Sequence, residues 1–250
     1  MARHAYGYRH DRYDDRDFRF SRLHGFTTAT LPPSIDWTAE GPPILDQLQL
    51  GACTAFGIKR ATQLAHTLRA NTIAPRSELS LYYKERVLEH TITQDAGAMP
   101  RDGLLVTLRE GIDTEANWPY DPAKFAVAPP RLTAEAAAAK ISGFYRCHGL
   151  YEMKQALAAR YPIGIGFDVY DSFESDATAQ TGLIPIPNLD VEHLLGGHFV
   201  GLEGYRDADG VFLAANSWGT AWGDRGFCRF PYRFFDPQLG LVSDIWAVVV

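Results

Sequence analysis

Apolar positions recur at helical spacing along the first half of this chain and in short alternating runs along the second, and that change of period divides the molecule. Between 53 and 70, Phe56, Leu64 and Leu68 form a stripe with the small residues Ala55, Ala61 and Ala65, which predicts a helix with one buried face. Further helices are predicted over 79–90, around Leu79-Ser80-Leu81-Tyr82-Tyr83, and over 102–110, where Gly111 supplies a stop. Trp118-Pro119-Tyr120-Asp121-Pro122 is an aromatic, proline-stiffened loop that ends the helical half. Beyond it the predicted strands are Ile141–Cys147, Ile163–Tyr170, His198–Tyr205, Val211–Asn216, Gly226–Phe230 and Ile245–Val250, with one helix over 150–160 and a turn at Asp207-Ala208-Asp209-Gly210. Helices followed by strands imply an α+β architecture, with a helical lobe over 31–125 and a β-rich lobe over 126–250.

Residues 1–30 have a different texture. They are dense in Arg, Asp, Tyr and Phe and hold no period for long, so they are expected to form an arm. Two placements are open, on the surface or across a cleft between the lobes. Leu31-Pro32-Pro33 then starts a stiff extended stretch.

A chain of 250 residues, 46% hydrophobic and 22% charged, can bury a substantial core without disulfides or metals. Its net charge of -6 offers no general attraction to nucleic acid or to an anionic membrane surface. No apolar run is long enough to span a bilayer, and the first ten residues lack the apolar core of a secretory signal. The chain is therefore expected to be cytoplasmic as synthesised, with any export by a leaderless route. Of the three cysteines, Cys147 and Cys228 lie in apolar alternating stretches and read as buried free thiols. There is no paired-cysteine spacing and the eight histidines are scattered, so neither a metal nor an organic cofactor is implied.

The remaining cysteine sits in Asp46-Gln47-Leu48-Gln49-Leu50-Gly51-Ala52-Cys53-Thr54-Ala55-Phe56. Cys53 falls at the start of the first predicted helix, where the positive end of the helix dipole stabilises a thiolate, and Gly51 and Ala52 leave room for a substrate. Taken alone, such a cysteine reads more simply as a small core residue. His198 follows Gly196-Gly197 and opens a strand, a position from which an imidazole can serve a thiol as base and then acid. His193 is a weaker candidate in a looped stretch. Asn216 closes a strand, where its amide can fix the tautomer of an imidazole, and Trp218 can shield that bond from water; alone, Asn216 is a turn residue. Gln47 can donate to an oxyanion together with the backbone N–H of Cys53. Each signal is weak, but the set in the order Gln, Cys, His, Asn is specific.

These segments resemble the papain-like cysteine peptidases. Leu31-Pro32-Pro33-Ser34-Ile35-Asp36-Trp37 is similar to that family's mature start, and Gln47 with Gly51-Ala52-Cys53-Thr54-Ala55-Phe56 to its nucleophile motif. Gly197-His198-Phe199-Val200 with Gly204-Tyr205 resembles its histidine region, and Asn216-Ser217-Trp218-Gly219, followed by Trp222-Gly223 and Gly226-Phe227, its asparagine motif. The resemblance implies a two-lobe fold, a helical lobe against an antiparallel sheet or barrel lobe, with the site in the cleft between them. It implies Cys53 as nucleophile, His198 as base, Asn216 as its orienter, Gln47 as oxyanion donor and peptide or protein as substrate. Gly97, Gly197 and Trp218 would line the substrate, Gly97 through backbone hydrogen bonds, and Asp244 would face a subsite for basic or polar side chains; read from the residues alone, Asp244 is more simply a surface residue at a strand start. Some positions depart from the secreted members. Leu50 stands where those carry a disulfide cysteine, Thr54 where plant and lysosomal members have Trp, and only about 30 residues precede the mature-like start instead of a long helical pro-region. These traits resemble the compact, disulfide-free bacterial branch, and they suggest that the arm itself occludes the cleft as a self-inhibitor. Rival readings on the same residues are isopeptide hydrolysis, deamidation or transpeptidation, and a non-catalytic binding module.

Overall fold

A computed structural model describes residues 4–24 and 30–250 of the chain. Its helical layer contains α2 (Cys53–Thr67), α3 (Glu78–Leu88) and α4 (Pro100–Arg109), close to the periodicity-based expectations. Each start has a local cause: the Ser77 hydroxyl accepts from the Ser80 N–H to cap α3, and Pro100 opens α4 where its missing N–H costs nothing. Nearly all of α2 is buried, because it lies between α3 and α4 on one side and the sheet on the other. Gly57 makes that approach possible: a Cβ there would stand 2.6 Å from the Phe199 ring.

Among the described residues the sheet has seven strands: β1 (Ser34–Asp36), β2 (Gly143–Arg146), β3 (Ile163–Tyr170), β4 (Leu194–Arg206), β5 (Val211–Ala215), β6 (Phe227–Pro231) and β7 (Val242–Val249). Its order is β2-β7-β3-β4-β5-β6, with β1 added along β4, and every pairing is antiparallel. One core cluster lies within the sheet lobe around Phe167, Phe212 and Phe230, and another lies between α2 and the sheet around Ile58, Phe199 and Trp246. A buried bidentate pair ties the layers together, Arg60 of α2 donating to Glu203 of β4 through Nε at 2.6 Å and Nη2 at 3.0 Å. Cys147 and Cys228 are buried free thiols, and burial pushes both well above the ordinary thiol range.

Three features differ from the sequence-based expectation. β4 begins at Leu194, four residues ahead of His198, because Gly196 and Gly197 weaken the strand signal without preventing pairing with Val169 and Asp168. β1 and the short helix α6 (Asp176–Thr181), which follows α5 (Gly149–Ala158), were outside the predicted elements. The third concerns residues 17–24. There a helical turn, α1 (Phe20–His24), docks against β2: the Arg146 N–H donates to the Phe18 carbonyl at 2.8 Å, and Phe20 is fully buried among Cys147, Met153 and Leu157. This part of the N-terminal segment belongs to the sheet-lobe core.

Candidate active site

Cys53 is the first residue of α2, so its backbone N–H is among those the helix leaves unpaired. The preceding loop is held from two sides. The Gly51 N–H donates to both oxygens of Asp95, at 3.1 and 3.0 Å, and Asp95 also accepts from the Tyr82 hydroxyl of α3 at 2.5 Å. On the other side the Gln47 N–H donates to the Ser217 carbonyl at 2.8 Å, and Asp46 bridges to Trp218. The nucleophile loop is thereby stitched to the segment that follows β5.

That segment carries the other polar groups. Asn216 leaves β5 with its N–H on the Gly226 carbonyl, 2.9 Å away. Its Oδ1 lies 2.8 Å from His198 Nε2, and both residues are buried. Trp218 stacks on the His198 ring at 4.8 Å between centroids, which keeps water from the His–Asn bond. His198 Nδ1 is buried without a hydrogen-bond partner among the described residues. The backbone N–H of Phe199, the residue after His198 on β4, points at the Cys53 thiol. Gln47 is fully buried and fixed at both ends of its amide: Oε1 accepts from the Ser217 hydroxyl at 2.5 Å, and Nε2 donates to the Leu50 carbonyl at 2.9 Å. Ser217 was not singled out from the sequence, although the Asn216-Ser217-Trp218 motif contains it. His193 lies apart, exposed and paired with Asp171.

Residues 4–11 run through this arrangement. The His4 ring stacks on Trp218 with centroids 3.7 Å apart, and the Tyr6 ring meets His198 and Trp218 edge-on while its hydroxyl donates to Glu174. The Ala5 carbonyl accepts from Gln47 Nε2 at 3.1 Å, and the Gly7 N–H points at the Cys53 thiol. Tyr8 donates its N–H to the Gly197 carbonyl at 3.0 Å. The Gly7 carbonyl accepts from the Ala98 N–H at 2.7 Å, and the Arg9 N–H donates to the Ala98 carbonyl at 3.0 Å. The expected role of Gly97 is therefore corrected. Its N–H is taken by the Tyr82 hydroxyl, and Ala98 makes the extended-chain bonds; Gly97 contributes only the lack of a Cβ, which would stand 2.0 Å from the Gly7 carbonyl oxygen. Asp244 is buried, so it is not a surface residue at a strand start: Arg146 Nη1 is 2.7 Å from Oδ1, while the Tyr8 hydroxyl donates to Oδ2 at 2.6 Å.

Burial sets the resting protonation of the pair. Desolvation pushes the Cys53 thiol up to about 12, only partly offset by the N–H groups of Gly7 and Phe199. Desolvation also pulls His198 down to about 4, against the Asn216 hydrogen bond that favours its charged form. With residues 4–11 in place, thiol and imidazole are both neutral.

Known proteins resemble this chain in sequence and fold. The model of the papain family cysteine protease matches residues 31–236. A peptidase C1-like protein of Acanthamoeba polyphaga mimivirus is 36% identical over 216 residues, covering 82% of this chain and 68% of its own length. Cathepsin L of Sarcophaga peregrina is 30% identical over 221 residues, covering 86% of this chain, which spans only 62% of that relative. Among solved structures, xylellain, a cysteine protease from Xylella fastidiosa, superposes with a TM-score of 0.85 at 31% identity, covering 98% of this chain and 96% of that one.

Proposed function

The chain belongs to the papain family of cysteine proteases, and from that premise we propose that it is an endopeptidase acting through Cys53, His198, Asn216 and Gln47. The observation that carries the reading is the doubly anchored Gln47 amide, whose Nε2 already holds a peptide carbonyl, that of Ala5, at 3.1 Å. A donor so fixed costs little reorganisation when charge develops on a carbonyl oxygen.

In the proposed cycle, His198 takes the Cys53 proton, and the thiolate attacks the scissile carbonyl carbon. A carbon–sulfur bond forms, and the carbonyl electron pair moves to the oxygen facing Gln47 Nε2 and the Cys53 N–H. Collapse of this adduct breaks the carbon–nitrogen bond, and the imidazolium protonates the departing amine. Water then attacks the thioester while His198 takes its proton, releasing a carboxylic acid and the thiol. Asn216 holds the ring with Nδ1 free for these transfers.

The arm is the proposed regulator. Residues 4–11 fill the place a substrate must take, bonding to Gln47, Gly197 and Ala98 and covering Cys53 and His198. Turnover requires them to withdraw. The test is acid quenching during turnover of an activated peptide ester, followed by mass mapping. The acyl group is expected on the peptide containing Cys53, and an acyl group on any other residue, or none during steady turnover, overturns the assignment.

A further inference from the structure

Tyr8 does not simply lie across the cleft; its side chain fills a slot shaped for it. Only 5% of Tyr8 is exposed. Gly166 of β3 and Gly197 of β4 lie against its ring, where Cβ atoms would approach Tyr8 Cε2 to 2.2 Å and Cδ1 to 2.7 Å. The Phe199 ring closes another side at 6.3 Å between centroids. At the base is Asp244, opened toward the phenol by its place on β7 beside Gly166. Two glycines facing one aromatic ring, with one carboxylate oxygen at the depth of its hydroxyl, make a built site for a phenol.

Withdrawal of the arm changes Asp244 only in part. Oδ1 stays with Arg146, which is on β2 in the sheet. Oδ2 loses both its donors, the Tyr8 hydroxyl at 2.6 Å and the Asp11 N–H at 3.0 Å, since both belong to the arm. The empty slot then offers one acceptor at its base, on a carboxylate whose other oxygen keeps the Arg146 guanidinium, which also lies 3.2 Å from Asp17. A lysine or arginine would meet a carboxylate that already has its cation, with the Arg146 guanidinium behind it. A phenylalanine would fill the volume and leave Oδ2 without a donor, an unfavourable outcome for a buried acceptor. Only a tyrosyl side chain supplies both ring and donor. The slot also lies on a definite side of the chemistry. His4 and Tyr6 occupy the His198–Trp218 side, where the leaving amine must collect its proton, and Tyr8 lies beyond the thiol from them. The slot therefore receives the acyl side of a substrate.

Resting on the peptidase reading above, we propose that this slot is a tyrosine-selective subsite, that Asp244, Arg146, Gly166 and Gly197 set its specificity, and that the protein acts on chains bearing tyrosine shortly before the scissile bond. The arm's own Tyr8 is the slot's resting occupant.

The test uses the full chain with Tyr8→Ala, which empties the slot, and N-acetyl tripeptide aminocoumarin amides carrying Tyr, Phe or Lys at each of the three positions in turn. At one position Tyr is expected to exceed Phe in kcat/KM by about 10- to 100-fold, and Lys by at least as much. Adding Asp244→Asn is expected to shrink the Tyr/Phe ratio at least fivefold. A second readout needs no hydrolysis: the corresponding tripeptide amides are tested for protecting Cys53 from iodoacetamide, and the Tyr peptide should protect at a 10- to 100-fold lower concentration than the Phe peptide. The wild-type chain, where Tyr8 competes for the slot, should give the same ranking at higher peptide concentration. Tyr-selective protection without hydrolysis overturns the peptidase reading and leaves the subsite standing. Equal protection by Tyr and Phe, or a preference for Lys, overturns the subsite whether or not peptides are cleaved.

Discussion

Removing one oxygen atom from Tyr8 should be enough to loosen the arm. Tyr8→Phe keeps the ring against Gly166 and Gly197 but deletes the hydroxyl that donates to Asp244 Oδ2 at 2.6 Å. A hydrogen bond to a charged group is worth about 1.5–3 kcal/mol. Here the loss is smaller, about 1–2 kcal/mol, because the carboxylate keeps Arg146 on Oδ1 and the Asp11 N–H on Oδ2. That corresponds to a roughly 5- to 30-fold larger open fraction. Tyr8→Ala adds the lost burial of the ring, about another 2–3 kcal/mol, and should open the arm more than 100-fold, taking about 1.4 kcal/mol per tenfold. The assay is the rate of iodoacetamide addition to Cys53, which is fully buried under residues 4–11, with peptide mapping of the label. Cys147 and Cys228 are internal controls: both are buried in the sheet lobe and should label only on global unfolding. Exposed Tyr13 supplies the outside control, since Tyr13→Phe should change nothing. A Cys53 rate unmoved by both Tyr8 variants, or one that rises only together with Cys147 and Cys228, refutes the reasoning.

Three further outcomes follow from other parts of the molecule. Phe20→Ala should cost about 3–5 kcal/mol in urea unfolding, because Phe20 is fully buried in the sheet-lobe core, whereas an ordinary surface tail would lose almost nothing. Ser217→Ala removes the hydroxyl that fixes Gln47 Oε1 and should lower kcat about tenfold with KM little changed, as steady-state kinetics would show; an equal rise in KM would place the effect in substrate binding. His198 has its pKa depressed by burial to about 4, so its contribution to arm docking is full above its ordinary value of 6.5 and is lost as pH falls through about 4. Imidazole NMR titration should therefore show His198 neutral down to about pH 4 in the closed chain and shifted upward in Tyr8→Ala.

Much of this was legible in the chain because it is local. α2 starts at Cys53, as the small residues before it and the stripe after it predict, and β3 occupies Ile163–Tyr170 as its apolar run implies. Gln47, His198 and Asn216 could be chosen because their spacing around glycines and a tryptophan is a pattern; in the structure His198 bonds to Asn216, and Gln47 bonds to Ser217 next to it. What escaped is non-local. β1 is three residues long and acquires its identity by pairing with the far end of β4. Phe20 anchors a segment without periodicity through a single side chain, and no pattern in the first 30 residues separates that anchor from the stretch that enters the cleft. The state of Asp244 depends on Arg146, 98 residues away, and on a tyrosine 236 residues away, so its burial and its partners are legible only in three dimensions.

The central claim is peptide hydrolysis at Cys53. Its most direct test is turnover of a mixed fluorogenic peptide set by the full chain carrying Tyr8→Ala, beside the same chain carrying Cys53→Ala as well, with product masses recorded. Cleavage with addition of water is expected in the first protein, and a loss of about 10⁴-fold or more in the second, the scale seen when a nucleophile is removed. Cleavage that survives Cys53→Ala, or products bearing a transferred amine in place of water, would contradict it.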